Sequence, residues 1–226
     1  MISVFVGYDP REAVAYHVCS NSIIRTASEQ VSINPLALRA LGGYEEKHTD
    51  GSNQFIYSRF LVPHLMNYKG WAIFLDGDML LRDDIAKLWE LRDDSKAVVV
   101  VKHDYQTRKA EKYLGAKNEN YPRKNWSSVV LWNCGHPLNR TLTPEFVGSA
   151  TGAQLHRFTW IPDDLIGELP KVWNWLPDEF GRNDDAKLLH WTLGTPCFHD
   201  FAQEPMAEEW HRERILAEYC LQRGID

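Results

Sequence analysis

Short apolar runs separated by polar stretches give the chain its first outline. Ile2 to Val6 is mostly apolar and reads as a buried strand, closed by a turn at Gly7-Tyr8-Asp9-Pro10. From Arg11 to about Ser28, the residues Val14, Val18, Ile23 and Ile24 recur at helical spacing, and Pro10 suits the helix start. Val31 to Leu38 predicts a second strand, in which Pro35 points to a sheet-edge position or an irregularity. A polar loop spans Gly42 to Asn53. The spacing then predicts a helix over Ser52 to Met66, with Phe55, Ile56, Phe60, Leu61 and Leu65 on one side. Trp71 to Leu75 is a strand, Asp84 to Leu91 a short helix, and Ala97 to Val101 a strand buried on both faces.

The second half is less regular. Residues 104–125 are polar and predict a long loop, a feature uncommon in compact domains unless functional. Ser128 to Trp132 restores a strand, and Pro144 to His156 predicts a helix. Trp173 to Trp175 and Lys187 to His190 read as two short strands, and Glu208 to Leu221 as a charged amphipathic capping helix. Strands alternating with helices over the first hundred residues imply an α/β sheet with ligands at the carboxyl ends of its strands.

At 226 residues, 44% of them hydrophobic, the chain is expected to form one domain with a substantial core. Nine tryptophans are many, and most are assigned to the core rather than to sugar-stacking surfaces. The net charge of −6 argues against a nucleic-acid or anionic-membrane binder. The cysteines at 19, 134, 197 and 220 are scattered without metal-ligand spacing, so a reduced, cytoplasmic protein is expected. Neither a signal peptide nor a membrane-spanning run is apparent, and a monomer or weak homodimer is the expectation.

The candidate chemistry begins where the run Trp71 to Leu75 stops, at Asp76-Gly77-Asp78. Alternate residues of an extended chain point to opposite faces, but a glycine between two aspartates lets both turn toward one point. Two hard oxygen ligands there suit Mg²⁺ or Mn²⁺, and such an ion suits a diphosphate. The competing reading is a polar turn between two strands. Arg59 lies among apolar neighbours, either drawn inward to a carboxylate or phosphate or exposed on a polar helix face. His190 closes a short apolar run and could donate a nitrogen to the same ion, although a lone histidine is more often structural.

Taken together, these segments resemble family-8 glycosyltransferases, the group that includes glycogenin and bacterial lipopolysaccharide galactosyltransferases. Val4-Phe5-Val6-Gly7-Tyr8-Asp9 is similar to the family's base-holding strand and turn, and Tyr57-Ser58-Arg59-Phe60 to its Y-x-R-L segment. Phe74-Leu75-Asp76-Gly77-Asp78 resembles its Y-L-D-x-D metal motif, and Trp126 to Asn133 its N-[SA]-G-V-x-L-x-N strand. Ile161 to Ile166 is similar to D-Q-D-x-L-N, and His190-Trp191-Thr192-Leu193-Gly194 to the start of H-x-x-G-x-x-K-P-W. The segments occur in family order from residue 2 to about residue 198.

The resemblance implies a GT-A fold: a near-minimal single α/β domain with a Rossmann-like mixed sheet flanked by helices. Residues 1–103 would bind the nucleotide-sugar, 104–200 would face the acceptor, and 201–226 would carry the C-terminal helix. Asp76, Asp78 and His190 would hold Mn²⁺ or Mg²⁺. Val6, Gly7, Tyr8, Asp9, Arg59, Gly77 and Gly194 would contact the donor, a UDP-hexose (glucose or galactose) with GDP as the alternative nucleotide. Arg59, Asp163 and Asp164 would act in transfer to a glycan or other small acceptor, with retention of configuration; an inverting enzyme would instead need a carboxylate base, a role Asp163 could also fill.

This chain also departs from the family pattern. The lysine expected after Gly194 is missing, so its phosphate contact falls to the Gly194 N–H or another basic residue, or is lost. Trp126 and Ser128 replace Asn and Gly, while Pro162 and Asp163 replace the first Asp and the Gln. Two rival readings follow: a binding module weakened in turnover, and a phosphatase of the haloacid dehalogenase type with an aspartyl nucleophile.

Overall fold

The chain begins with β1 (Ile2–Tyr8), leads through a short 3₁₀ turn into α1 (Ala13–Thr26), and returns along β2 (Val31–Ala37). The computed structural model describes residues 1–107, 109, 111–115 and 117–218. After β2 come α2 (Val62–Leu65), β3 (Trp71–Leu75), β4 (Met79–Leu81), α3 (Ile85–Trp89) and β5 (Val98–Val100). The second half supplies β6 (Val129–Asn133), α4 (Pro144–Val147), α5 (Gly152–His156), β7 (Ile166–Glu168), α6 (Pro177–Phe180), β8 (Leu188–His190) and α7 (Ala207–Glu218).

Six strands form one mixed sheet in the order β2-β1-β3-β6-β5-β7. β1 pairs in parallel with β2 and β3, whereas β6 runs antiparallel between β3 and β5. The pleat sends alternate residues to opposite sides. Phe74, Val98, Val100, Val130 and Trp132 join one core, while Ile73, Leu75, Val99, Val101, Val129 and Leu131 join the other. Both faces are therefore covered, which is why these strands read as unbroken apolar runs. Pro35 lies in β2 at the sheet edge, as expected for a residue that cannot donate to a ladder.

A separate two-stranded ladder matters more for the site. β4 pairs antiparallel with β8, with Met79 opposite His190. This long-range pairing sets the histidine beside the acidic turn that precedes β4.

Several elements differ from the expected ones. The helix expected over Ser52 to Met66 is a 3₁₀ turn, Ser58–Leu61, followed by the single helical turn of α2. Tyr57 to Pro63 are all buried, so packing on every side sets this path rather than one amphipathic face. The helix expected over Pro144 to His156 is two, because Thr151 starts a new one with a capping box to Gln154. The strand expected at Trp173 to Trp175 is a 3₁₀ turn, Lys171–Asn174, and only Trp175 bridges to Leu189. β7 occupies three residues too short to show a period. Ile24, expected inward on α1, is 62% exposed. None of the nine tryptophans is exposed, in agreement with the core assignment.

The polar stretch 104–125 is irregular over its described residues apart from one 3₁₀ turn, Tyr113–Gly115, and an antiparallel bridge between Glu111 and Lys117 that flanks it. The end of the helix expected to reach Leu221 lies outside the described residues. Within them, α7 packs on α1, where buried Glu213 accepts hydrogen bonds from Asn21 and Arg25. No helix among the described residues is long and apolar enough to cross a membrane.

Candidate metal and donor site

β1 and β3 lie side by side, so their carboxyl ends deliver two turns to the same place. The turns touch. A Cβ built on Gly77 would lie 2.4 Å from the carbonyl oxygen of Gly7, and one built on Gly7 would enter the Phe55 ring. The backbone of Gly77 has no left-handed φ. Its value here is close approach, not the conformational freedom expected from the sequence.

Asp76 and Asp78, on either side of Gly77, are 7% and 8% exposed. With His190 they place one ligand atom each within 4.8 Å of one another. His190 Nε2 is 3.3 Å from Asp78 Oδ1 and 3.7 Å from Asp76 Oδ2. The opposite ring nitrogen, Nδ1, lies 2.9 Å from Asn174 Oδ1. Asn174 Nδ2 in turn donates to Ser128 Oγ, so the amide oxygen must face the imidazole. That pattern holds a proton on Nδ1 and points Nε2 at the carboxylates, so that on losing its second proton His190 would turn the Nε2 lone pair to an ion there, the usual arrangement behind a metal-ligating histidine.

Arg59 reaches the same point from the 3₁₀ turn before α2. Its Nη1 lies 2.6 Å from Asp76 Oδ1, and it donates to the carbonyl oxygens of Ile56 and Ser127. The Phe55 and Phe74 rings lie against its guanidinium, at 5.3 and 5.1 Å. Of the two sequence readings of Arg59, the inward one is observed.

Burial pushes the Asp76 carboxyl up to about 6 despite Arg59. Burial acts the same way on Asp78, but the His190 imidazolium outweighs it and holds this carboxyl below the usual range. Oδ1 of Asp78 is buried and accepts no hydrogen bond. A buried carboxylate oxygen without a donor, beside a second carboxylate and an imidazole nitrogen, fits a divalent cation with oxygen and nitrogen preference such as Mn²⁺ or Mg²⁺.

The other sequence candidates are placed less centrally. Val6, Gly7 and Tyr8 line the end of β1 behind the acidic turn, and none of them lines the ion cavity. Asp9 is consumed locally: it pairs with Arg11 at 2.6 Å and accepts the N–H groups of Arg11 and Gln54. Gly194 packs against Phe201, where a Cβ would come within 2.5 Å of the ring. Asp163 and Asp164 are not brought to this group. Both are exposed, and Asp163 pairs with Arg123 at 2.5 Å.

Sequence reasoning missed Asn174, Lys112, Tyr121 and Asp178. Asn174 and Asp178 are polar residues in segments with apolar neighbours, which was the available signal. Asp178 accepts the Leu193 N–H at 2.7 Å, and burial pushes its carboxyl up to about 7. Ser128, noted as a departure from the sugar-contacting glycine, donates to the Asn125 carbonyl and accepts from Asn174, so it supports His190. The Trp126 indole donates to the His103 carbonyl.

Residues 3–136 match the family described as Glycosyl transferase family 8, more than half of the chain. The chain belongs to that family. Protein CDI of Arabidopsis thaliana is 46% identical over 219 residues, covering 93% of this chain and 85% of the relative. Among solved structures, the galactosyltransferase LgtC superposes with a TM-score of 0.63 at 12% identity, covering 97% of each chain. GlyE of Streptococcus pneumoniae TIGR4 gives 0.61 at 14% identity, over 95% of this chain and 60% of that one. The bifunctional glycosyltransferase WbbM also gives 0.61, at 15% identity over 95% of this chain, which spans about half of WbbM. At those identities the likeness is one of fold, the GT-A fold expected from the sequence. Family-8 membership makes the chain a glycosyltransferase and sets aside the phosphatase reading.

Proposed function

We propose that this family-8 enzyme moves a hexose, glucose or galactose, from a UDP-hexose to a hydroxyl of a glycan or other small acceptor, with Mn²⁺ or Mg²⁺ bound and with retention of configuration. The observation that carries the proposal is the convergence of Asp76, Asp78 and His190 within 4.8 Å at a crevice shared by two strand ends. When bound, the ion supplies Lewis-acid stabilisation of the charge on the departing diphosphate.

The chain's own groups do the rest. Asp76 and Asp78 present the oxygens that would hold the ion, Asn174 fixes His190, and Arg59 holds Asp76 in place while bringing a positive charge to the diphosphate side. Asn125, Ser127 and Thr192 line the cavity and offer hydrogen-bonding groups to a polar ligand. In the transfer, the bond from the anomeric carbon to the diphosphate oxygen breaks and a bond from that carbon to the acceptor oxygen forms. The acceptor proton passes to the departing phosphate oxygen, giving UDP and the glycoside. This route needs no protein base, which agrees with the exposed positions of Asp163 and Asp164. Free Cys19, Cys134 and Cys197 support a reducing, cytoplasmic setting, and a monomer or weak homodimer is the proposed assembly.

The test is a thermal-shift panel of nucleotide-sugars with and without Mn²⁺. A ligand that binds only the folded state raises the melting temperature. UDP-hexose with Mn²⁺ is expected to do so, and Asp78→Ala to abolish the shift. No stabilisation by any nucleotide-sugar with any divalent cation refutes the proposal. Stabilisation without donor consumption supports the binding-module reading instead.

A further inference from the structure

The cavity holding Asp76, Asp78 and His190 is small, about 70 Å³, enough for an ion and little more. It adjoins a groove of about 530 Å³ between residues 49–52 and 117–124. Ser52, Ile56, Lys112 and Tyr121 line both spaces and so stand at their common boundary. A ligand with its phosphates at the ion and its remaining bulk in the groove has to pass this boundary. Lys112 brings a positive charge to it.

The position of Lys112 is held by its neighbour. Tyr113 donates its backbone N–H to the Leu193 carbonyl at 2.7 Å and its hydroxyl to Glu12 Oε1 at 3.0 Å. Its ring stacks on Phe198 with centroids 5.0 Å apart. Thr195 donates to the other oxygen of Glu12 at 2.6 Å. These contacts tie the 104–125 loop to the segment Leu193 to Phe198, the stretch in which the sequence lacks a basic residue.

Charge balance gives Lys112 a purpose. Arg59 is already paired with Asp76, and His190 faces both aspartates. Among the described residues, Lys112 makes no ion pair within 4.0 Å, although it is half-buried. Burial lowers its pKa, and the Asp78, Asp178 and Asp76 carboxylates act to restore it. Once a dication neutralises Asp76 and Asp78, Lys112 loses two of the three carboxylates that act on it, with no ion pair to replace them, an unfavourable state that a phosphate would relieve.

Resting on the glycosyltransferase reading above, we infer that Lys112 is the donor-diphosphate contact of this enzyme, delivered by the 104–125 loop and positioned by Tyr113. It does the electrostatic work that the stretch Gly194 to Phe198, which carries no basic residue, cannot do.

The test is calorimetric binding of UDP and UMP in the presence of Mn²⁺, and of Mn²⁺ alone. Lys112→Met and Lys112→Gln are compared with Lys112→Arg, with Lys69→Met as an exposed control and with melting temperatures recorded for all. Both neutral variants are expected to weaken UDP by about 10- to 100-fold, the range of a lost charge-assisted contact. UMP should weaken much less, Mn²⁺ alone should bind no more weakly, and Lys112→Arg should recover part of the loss. UDP affinity unchanged in folded Lys112→Met or Lys112→Gln overturns the assignment and leaves the glycosyltransferase reading standing. An equal loss for UDP and UMP also overturns it. Wild-type protein that binds no UDP with Mn²⁺ sinks the UDP-donor reading itself, and this inference with it.

Discussion

Gly77→Ala tests the idea that the two strand-end turns set the site by touching. The substitution adds one methyl group at a residue with no left-handed φ, so backbone strain does not enter. A Cβ and a carbonyl oxygen do not approach below 3.0 Å, whereas this pair would stand at 2.4 Å, so the two turns must part by 0.6 Å or more. The obstacle is the Gly7 backbone, paired with Leu36 of β2 and directly following Val6, which pairs with Leu75 of β3, so it cannot rotate away. Overpacking of this kind costs about 1–3 kcal/mol. For a domain of this size that lowers the melting temperature by roughly 2–4 °C per kcal/mol.

The site should lose more than the fold does. Asp76 and Asp78 flank the displaced residue, and misplacement by about 1 Å is worth on the order of 10²-fold in rate. A shift near half of that should weaken Mn²⁺ binding by on the order of tenfold by the same reasoning. The assay is Mn²⁺ titration by calorimetry together with thermal melting. Gly42→Ala is the control, because a Cβ there meets nothing within 4 Å. If Gly77→Ala melts and binds Mn²⁺ like the wild type, contact between the turns does not set the ligand positions.

Asn174→Leu removes the acceptor that orients His190 and should weaken Mn²⁺ by about 10- to 100-fold, as loss of such supporting groups does; unchanged affinity rules out this role. Arg59→Leu leaves the Asp76 carboxylate buried without a cation and should destabilise by about 3–5 kcal/mol, with Arg59→Lys intermediate in urea unfolding. Asp163→Asn and Asp164→Asn should leave donor consumption nearly intact, and a fall of about 10²-fold or more, the size of a lost acid–base group, refutes the base-free route. His48 sets a pH dependence. Its ring nitrogens face the Glu46 carboxylate at 2.5 Å and the Ala150 carbonyl at 2.7 Å, and these outweigh burial to raise its pKa above 6.5. A raised histidine pKa stabilises fully below the ordinary value, and the contribution is lost as pH rises through the folded value. The melting-temperature gap between wild type and His48→Gln should therefore shrink from about pH 5 to pH 9, and a constant gap contradicts the assignment.

The strands and the acidic turn were legible because their signals are local. Ile2 to Val6, Trp71 to Leu75 and Ala97 to Val101 are apolar on both pleat faces, and a sheet covered on both sides requires that. The helix expected over Ser52 to Met66 failed for a related reason: the segment is buried almost all round, so its apolar spacing carries no single face. The order of motifs around Asp76-Gly77-Asp78 was enough to identify the family and its fold.

What the residues along the chain cannot specify is which distant groups meet. His190 reaches the aspartates through the β4–β8 ladder, and Arg59 by way of an irregular turn. Asn174 joins them from a segment that reads as a strand, and Lys112 from a loop with no period at all. Asp164 matches a family motif in sequence and Asp163 stands in its Gln position, yet a 3₁₀ turn presents both to solvent. Sequence alone determined the buried strands and the two carboxylates at the end of one of them, because an apolar run and the acidic turn that closes it are signals spanning a few residues. The tertiary structure decided the third ligand, its orienting amide and the cation beside them, because each depends on strand register and loop closure between residues far apart in the chain.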